Sequence, residues 1–316
     1  MVETFLVTGS MGCIGAWTVA HLLRQGHIVV SFDISERRDR LNLLLNREQQ
    51  EAISFVKGDL TDYEQVKTAI EAHGVTRIIH LAALQVPFCI ADPILGSQVN
   101  VTGTVNVFEA ARHSGIGHIA YASSIAVYGP PQRYGRGLVA HDAPHDPRTL
   151  YGVYKAANEG TGRIYWQDWG VSSTALRPYT VYGVGRDQGL TSEPTKSLKA
   201  VANGQSYDIS FGGVMQFQWA SDVAQQFILA AQEEPGGAHA FNLGSEPQSV
   251  AQFVDVVRDL RPDAQITVGE RTLPFPNGFD DSALRQHAAH VYETPLNDGI
   301  RATLEAFEAA DTAVTC

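Results

Sequence analysis

The sequence predicts an α/β fold built on a doubly wound parallel sheet, with a smaller α/β lobe towards the C-terminus. Short apolar runs rich in β-branched residues alternate with amphipathic segments along the first half of the chain. These runs are apolar throughout, as expected for strands buried on both faces of a parallel sheet. After Arg177-Pro178 the sequence changes to Gly-, Gln- and Pro-rich connections, which indicate a second lobe.

The elements follow in order along the chain. Strand-like runs cover residues 5–8, 28–32, 53–56, 77–81 and 118–122, and a helix over 151–169 precedes a strand over 173–176. Further on, the sequence predicts helices over 221–232 and 249–260, with Ser249 as an N-cap, and strands over 240–243 and 265–268. We therefore expect a Rossmann domain over 1–178. Residues 179–316 are expected to form mainly a substrate-binding lobe, with some segments returning to the core domain.

Composition disfavours several classes of protein. A chain of 316 residues that is 44% hydrophobic can bury a large core. A net charge of −11 without a Lys/Arg-rich stretch predicts no nucleic-acid partner. The sequence shows neither a basic leader segment nor an apolar run of membrane-spanning length, so we expect no membrane partner and a cytoplasmic location. Cys13, Cys89 and Cys316 lack metal-ligand spacing, which predicts free thiols and no metal site.

A glycine-rich turn follows the first strand. Gly9, Gly12 and Gly15 are spaced G-x-x-G-x-x-G, which departs from the G-x-G-x-x-G dinucleotide form. Without side chains, the backbone can approach a pyrophosphate at the N-terminus of the next helix. A purely structural turn remains the alternative.

An acidic residue, Asp33, ends the second strand. A carboxylate at this position accepts hydrogen bonds from ribose hydroxyls and repels a 2′-phosphate, so the sequence predicts NAD as the cofactor. Arg37 and Arg38 follow closely and can offset that repulsion. NADP therefore stays open as the less favoured cofactor.

Three residues form a predicted catalytic group. Tyr151 and Lys155 are four residues apart on a predicted helix and so share one face. An ammonium near a phenol stabilises the phenolate, which suits proton exchange with an alcohol. Ser124 follows a strand at the carboxyl edge of the sheet, where such sheets bind ligands, and we expect it to hydrogen-bond the reacting oxygen. Ser123 is the alternative serine.

With these motifs in place, the chain resembles the NAD-dependent epimerase/dehydratase family of extended short-chain dehydrogenases over most of its length. The segments that carry the resemblance are residues 8–15, Asp33, 58–60, 80–83, Asn100, 123–129, 151–155, 176–183 and 241–244.

The resemblance implies a set of cofactor contacts. They are Gly9, Gly12, Cys13, Ile14, Gly15, Asp33, Ile34, Asp59, Leu60, Leu81, Ala82, Ala83, Asn100, Tyr151, Lys155 and Tyr179. Asp59 and Leu60 would flank the adenine, and residues 81–83 would line the cofactor groove. The resemblance also implies a homodimer formed through the helices near 101–112 and 151–167.

The fate of the substrate divides the family into dehydrogenases, epimerases and dehydratases. Ile125-Ala126 replaces the acidic pair of the dehydratases, and Thr180 replaces an asparagine common in nucleotide-sugar epimerases. Residues 215–222 also lack the arginine that commonly contacts a diphosphate in those epimerases. We therefore expect an NAD-dependent dehydrogenase that oxidises a hydroxyl of a sugar-like, sugar-acid or polyol substrate. A UDP-hexose-type 4-epimerase with tightly held NAD and a non-catalytic NAD-sensing regulator remain alternatives.

Five residues are candidate contacts of this small-molecule substrate: Gln85, Ser124, Arg186, Gln216 and Trp219. Arg186 suits a substrate anion, although a solvated or structural arginine is equally consistent with the sequence. Trp219 is equally consistent with packing inside the lobe.

Overall fold

A computed structural model describes residues 1–314, and Cys316, expected as a free thiol, lies outside them. The strands are β1 Thr4–Thr8, β2 Ile28–Asp33, β3 Ile53–Lys57, β4 Arg77–His80, β5 His118–Ala122, β6 Ser172–Arg177, β7 Thr180–Tyr182, β8 Tyr207–Ile209, β9 Val214–Trp219, β10 Ala238–Asn242, β11 Pro247–Ser249 and β12 Ile266–Val268. The helices are α1 Cys13–Arg24, α2 Asp39–Asn42, α3 Arg47–Glu51, α4 Tyr63–Ala72, α5 Val86–Ala91, α6 Pro93–Ser97, α7 Gly103–His113, α8 Leu150–Trp169, α9 Glu193–Ala202, α10 Ala220–Gln232, α11 Val250–Leu260, α12 Ser282–His287 and α13 Leu296–Val314. A π-helical turn over Gln98–Thr102 joins α6 to α7.

The central sheet has seven parallel strands in the order β10-β6-β5-β4-β1-β2-β3. The chain builds β1 to β3 outward in one direction and then returns to place β4 on the other side of β1. Ligands of open α/β sheets bind at the carboxyl ends of the strands, at such a reversal point. The predicted doubly wound Rossmann-like fold is confirmed.

Helices cover both faces of the sheet. On one face α1 packs against α10, and on the other α4 packs against α7. Two apolar cores lie between these helices and the sheet. The inner residues of β2, Val29 to Phe32, are all buried, as expected for a strand that is covered on both faces.

Several local predictions are confirmed closely. The strands of the first half appear within one residue of their predicted ends, and Ser249 caps α11 by accepting from Gln252 N–H at 3.0 Å. Helix α1 begins at Cys13, directly after its N-cap Gly12. The N-terminus of α1 therefore lies inside the glycine turn.

The smaller lobe contains a three-stranded sheet, β11-β9-β7, and a two-stranded sheet, β12-β8. Two segments beyond residue 178 belong with the large sheet instead. Strand β10 forms its edge beside β6, and α10 covers one face. Among residues 1–314, none of the helices combines the length and apolar character needed to span a bilayer.

Candidate active site

The glycine turn is tightly packed because its positions exclude side chains. Gly9 has a φ of +68°, and a Cβ there would lie 2.6 Å from Cα of Ala82. A Cβ on Gly15 would overlap the Gly9 carbonyl. Gly12 is the N-cap of α1 and provides no side-chain cap, so the first N–H groups of the helix remain available to an anion.

Asp33 lies at the end of β2, beside this turn. Its Oδ2 accepts from Met11 N–H at 3.0 Å and its Oδ1 accepts from Ser35 N–H at 2.9 Å. A carboxylate has about four acceptor positions, so each oxygen can still accept a ribose hydroxyl.

The arginines that follow Asp33 have other partners. Arg37 pairs with Asp39 at 2.7 Å, and the Arg38 guanidinium lies 3.5 Å from the centroid of the Phe55 ring. Arg40 donates to Met11 O at 2.7 Å and pairs with Asp187 at 2.5 Å. Sequence reasoning missed Arg40, which joins the glycine turn to the loop that carries Arg186.

The groove wall follows β4. Thr8 Oγ1 accepts from Leu81 N–H at 3.2 Å and from Ala82 N–H at 3.4 Å, and it lies 2.7 Å from His80 Nδ1. These bonds hold Leu81, Ala82 and Ala83 half-buried beside the glycine turn. The predicted groove residues are therefore adjacent to the turn.

Asn100 supports the backbone of this groove wall. It is only 1% exposed, its Oδ1 accepts from Leu84 N–H at 2.8 Å, and its Nδ2 donates to Leu84 O at 2.9 Å. Its backbone carbonyl accepts from Thr104 and from Asn158 of α8. Asn100 therefore steadies the groove wall and α8, as the resemblance also implies, and its contact with the cofactor stays a prediction.

The predicted adenine region lies beyond the carboxyl ends of β2 and β3. Ile34 is 64% exposed next to Asp33. Asp59 Oδ1 accepts from Thr61 N–H at 2.8 Å, and buried Leu60 accepts through its carbonyl from Asn106 at 2.8 Å. All three residues lie on the sheet edge that also holds the glycine turn.

Tyr151 lies in the first turn of α8, next to the Ser124 segment. Thr149 caps this helix by accepting from Gly152 N–H at 3.0 Å. A Cβ on Gly152 would overlap the Ala126 carbonyl, so the helix packs directly on the segment after Ser124. The Ser124 hydroxyl accepts from Ala126 N–H at 3.1 Å and also hydrogen-bonds the Tyr151 phenol. The structure thus brings Ser124 and Tyr151 together.

The phenol is flanked by a cation other than the one expected. Burial raises the pKa of Tyr151, while the hydrogen bond with Ser124 and the charge of Arg186 oppose that rise. Lys155 Nζ donates to Ala122 O at 2.6 Å and lies 5.6 Å from the centroid of the Tyr151 ring. In this arrangement the ammonium is directed at a backbone carbonyl, and the cation that lowers the phenol pKa is Arg186.

Arg186 and Gln85 converge at Gly189. A Cβ on Gly189 would lie 3.1 Å from Arg186 Nη2 and would overlap Gln85 Oε1. Arg186 Nη2 donates to Thr191 Oγ1 at 3.3 Å, and its Nε is a buried donor without a hydrogen-bond partner. A half-buried arginine whose buried Nε is an unused donor, close to the Tyr151 phenol, suits an anionic ligand.

Two residues with predicted ligand contacts, Gln216 and Tyr179, lie inside the second lobe. Gln216 is 1% exposed, donates to Ser245 O at 2.6 Å and accepts from Phe279 N–H at 2.9 Å. Tyr179 is also buried, and its hydroxyl donates to Pro276 O at 3.0 Å. Both side chains are bonded to backbone groups of the second lobe, and their contacts with substrate and cofactor stay predictions.

Trp219 lines a cavity of about 450 Å³ in the second lobe, together with Asp222, Ser245 and Glu293. This cavity is separate from the catalytic group, since Ser124, Tyr151 and Arg186 are not among its lining residues. Trp219 also packs edge-on against Trp17. Trp219 thus packs against α1 and lines this cavity, and its contact with the substrate stays a prediction.

The two described cysteines are protonated thiols. Burial raises the pKa of Cys13 to about 11, although the charges of Arg186 and Arg40 oppose this. Burial also raises the pKa of Cys89, which donates to Leu84 O at 3.2 Å. Neither thiol is activated as a nucleophile at neutral pH.

The sequence model of the NAD dependent epimerase/dehydratase family matches residues 5–244. The chain belongs to this family. A relative named UDP-glucose 4-epimerase, from Mycolicibacterium smegmatis, is 32% identical over 247 residues, which cover 76% of each chain. The resemblance predicted from the motifs is therefore confirmed.

Solved structures of the family share the whole architecture. A UDP-glucose 4-epimerase from Thermus thermophilus, in complex with NAD, matches with a TM-score of 0.84 at 26% identity, covering 98% of this chain and 100% of that one. An L-threonine dehydrogenase from Clostridium difficile matches with a TM-score of 0.85, covering 98% of each chain. At 21% identity, the second likeness concerns the fold alone.

Proposed function

We propose that this chain is an NAD-dependent dehydrogenase that oxidises a secondary hydroxyl of a small sugar acid, with related sugars and polyols as weaker substrates. The observation that carries the proposal is Arg186, whose buried Nε is an unused donor close to the Tyr151 phenol. A substrate carboxylate would satisfy this donor and place a neighbouring hydroxyl near Tyr151.

The residues present fit a dinucleotide. The cradle around Gly9 and Gly15 is one that a Cβ would fill, and the N-terminus of α1 carries no side-chain cap. The N–H groups of Cys13 and Ile14 would hold the pyrophosphate, and Asp33 would hold the adenosine ribose. The Asp33 carboxylate favours NAD over NADP.

The proposed step is an alcohol oxidation. Tyr151 takes the hydroxyl proton of the substrate while Ser124 holds the same oxygen by a hydrogen bond. Bound NAD would supply the hydride acceptor for the carbinol carbon, and the oxidised product would be a ketone or lactone. The Arg186 charge stabilises the phenolate form of Tyr151. Lys155 would hold the hydroxyls of the nicotinamide ribose.

The second lobe supports a small substrate. Residues 214–222 contain neither lysine nor arginine, and the amides of Gln216 and Gln218 are bonded to backbone groups. A diphosphate at this position would lose the charge-assisted bonds that usually hold it.

NADH absorbance with a panel of aldonates, uronates, aldoses and polyols tests the proposal. Arg186→Gln should raise KM for the carboxylated substrates roughly ten-fold or more, because a charge-assisted bond is lost, and leave KM for a neutral polyol nearly unchanged. Arg136→Gln, at an exposed arginine of the 129–147 loop, is the matched control. Failure of every carboxylated compound to yield NADH would contradict the proposal.

A 4-epimerase acting on nucleotide sugars is the second candidate, favoured by the name of the Mycolicibacterium smegmatis relative. Incubation with UDP-glucose or UDP-galactose and a catalytic amount of NAD would then yield the epimer without net NADH. Tight NAD binding without turnover in either panel would instead support an NAD-sensing regulator.

A further inference from the structure

A carboxylate lies on the catalytic helix one turn after Lys155. Glu159 follows Lys155 by four residues on α8, so both side chains lie on the same side of the helix. The Glu159 side chain is 9% exposed and that of Arg177 is 4% exposed. Glu159 Oε1 accepts from Arg177 Nε at 2.8 Å, and Oε2 accepts from Nη2 at 2.6 Å, which makes a bidentate buried pair.

The third guanidinium nitrogen of Arg177, Nη1, also has hydrogen-bond partners. Its Nη1 donates to Tyr128 Oη at 2.6 Å, to His141 O at 2.6 Å and to Asn242 Oδ1 at 3.3 Å. These partners come from the segments after β5 and from the end of β10. A buried ion pair keeps a single geometry when its remaining donors are also satisfied, so the Glu159 carboxylate is held rigidly.

The same carboxylate reaches the serine segment. Ser123 Oγ donates to Glu159 Oε1, and Ser123 N–H donates to Leu176 O at 2.8 Å. Ser124, whose hydroxyl meets Tyr151, is the next residue. Glu159 thus uses the hydroxyl of one serine and orients the backbone that carries the other.

Lys155 faces four other titratable or charged groups. Cys89 of α5, and Glu159 on its own helix, raise the pKa of Lys155, which burial lowers to about 8. His80 of β4 also faces it, and burial lowers the pKa of His80 to about 3, so this imidazole is neutral. Tyr151 lies one turn earlier on α8. Cys89 is a thiol at neutral pH, which leaves ion-paired Glu159 as the anion acting on Lys155.

One histidine faces the ion pair from the loop before α8. His145 Nε2 lies 3.4 Å from Glu159 Oε2 and 3.2 Å from Arg177 Nη2. Burial lowers the pKa of His145, while the Glu159 charge raises it, so His145 is mainly neutral in the pH range where Lys155 titrates.

We propose that Glu159 is a positioning residue for the oxidation, which fixes the Ser124 segment through Ser123 and places a negative charge one helical turn from the Lys155 ammonium. This inference rests on the proposed dehydrogenase chemistry for its kinetic consequence. Its electrostatic consequence, a change in the charge state of Lys155, can be measured without any substrate.

Removal of the Glu159 charge should change the protonation midpoint of Lys155 in one direction only. A nearby anion favours the charged form of an amine, so Glu159→Gln lowers the protonation midpoint of Lys155 and moves the alkaline limb of the kcat profile to lower pH. At pH 8 we expect kcat to fall roughly two- to six-fold, which corresponds to a midpoint displaced from about 8 by about half to one pH unit. Glu159→Asp keeps the charge and should leave the midpoint near its wild-type position.

The midpoint can be read directly because the chain has only five lysines. Protein labelled with ¹³C at lysine Cε is titrated by NMR, and the Lys155 signal is assigned as the one lost in Lys155→Met. We expect a lower midpoint in Glu159→Gln than in the wild type. Glu308→Gln is the matched control, because Glu308 forms a bidentate pair with Arg261 at 2.8 Å on α13, away from this site.

Glu159→Gln leaves the Arg177 guanidinium unpaired and is destabilising, so circular dichroism must first show that the variant is folded. If it is not, Glu159→Gln combined with Arg177→Met is compared with Arg177→Met alone, because these two proteins differ only in the Glu159 charge. A Lys155 midpoint equal to that of the matching protein that keeps Glu159, in whichever pair folds, overturns the inference. A lowered midpoint in protein that oxidises no substrate would support the role of Glu159 and refute the proposed dehydrogenase.

Discussion

Gly9→Ala is expected to damage both the glycine turn and cofactor binding. Gly9 has a φ of +68°, where an L-residue costs about 1–2 kcal/mol. Its new Cβ would lie 2.6 Å from both Cα and N of Ala82, and relief of such an overlap costs about 1–3 kcal/mol. We therefore expect Gly9→Ala to lower the free energy of unfolding by about 2–5 kcal/mol.

Gly74→Ala is the matched control for the backbone contribution. Gly74 has a φ of +60°, and a Cβ there would have no neighbour within 4 Å. Its expected cost is about 1 kcal/mol, because the strain is partly offset by the lower entropy of the unfolded chain. The difference between the two variants isolates the contact with Ala82.

Urea denaturation with and without NAD measures both effects. At a hundred-fold excess over Kd, a ligand raises the free energy of unfolding by about 2.7 kcal/mol, and Gly74→Ala should keep this increment. Gly9→Ala should lose most of it, because a displaced turn no longer presents the N-terminus of α1. Equal stability of the two variants, together with a full NAD increment in Gly9→Ala, would refute the reasoning.

Three further predictions concern catalysis and assembly. Tyr151→Phe should lower kcat by about 10²–10⁴-fold with NAD affinity within about two-fold of the wild type by calorimetry, and unchanged turnover would remove the assignment. Ser124→Ala should lower kcat about a hundred-fold and Ser123→Ala less than about ten-fold, so the reverse ranking in steady-state kinetics would exchange their roles. In sedimentation we expect a homodimer. Ile164→Glu, on the predicted interface helix α8, should dissociate it. Leu43→Glu, the matched control, should not, although the two side chains are similarly exposed at 43% and 44%. A monomeric wild type at micromolar concentration would contradict this.

Much of the fold could be predicted because its signals are local. Apolar runs identified the buried strands, and the Tyr151–Lys155 spacing identified one face of α8. The glycine spacing after β1 located the turn, since only a residue without a Cβ fits at position 9 against the backbone of Ala82. The bounds of α8 and the Ser249 cap also depend on short stretches of sequence.

The ion-pair and hydrogen-bond partners of individual polar groups were harder to predict from the sequence. A signal for the Glu159–Arg177 pair does exist, because a charged residue that ends a fully buried strand requires a partner, and Glu159 follows Lys155 at helical spacing. The sequence offered no comparable signal for Arg40 and Asp187, which pair across 147 positions. The hydrogen-bond partners of Gln216 and Tyr179 also have no local signal, since they lie between 29 and 97 residues away in the chain.

By itself, the sequence determined the order of strands and helices, the glycine turn and the residue types available for catalysis, because each depends on neighbours within a few positions. Tertiary structure decided which polar groups remain free. Ser123 is consumed by Glu159, and Lys155 is directed at Ala122 O, whereas Arg186 is brought to Tyr151 with an unused donor. Buried polar groups must find partners, and the strand order determines which distant segments provide them.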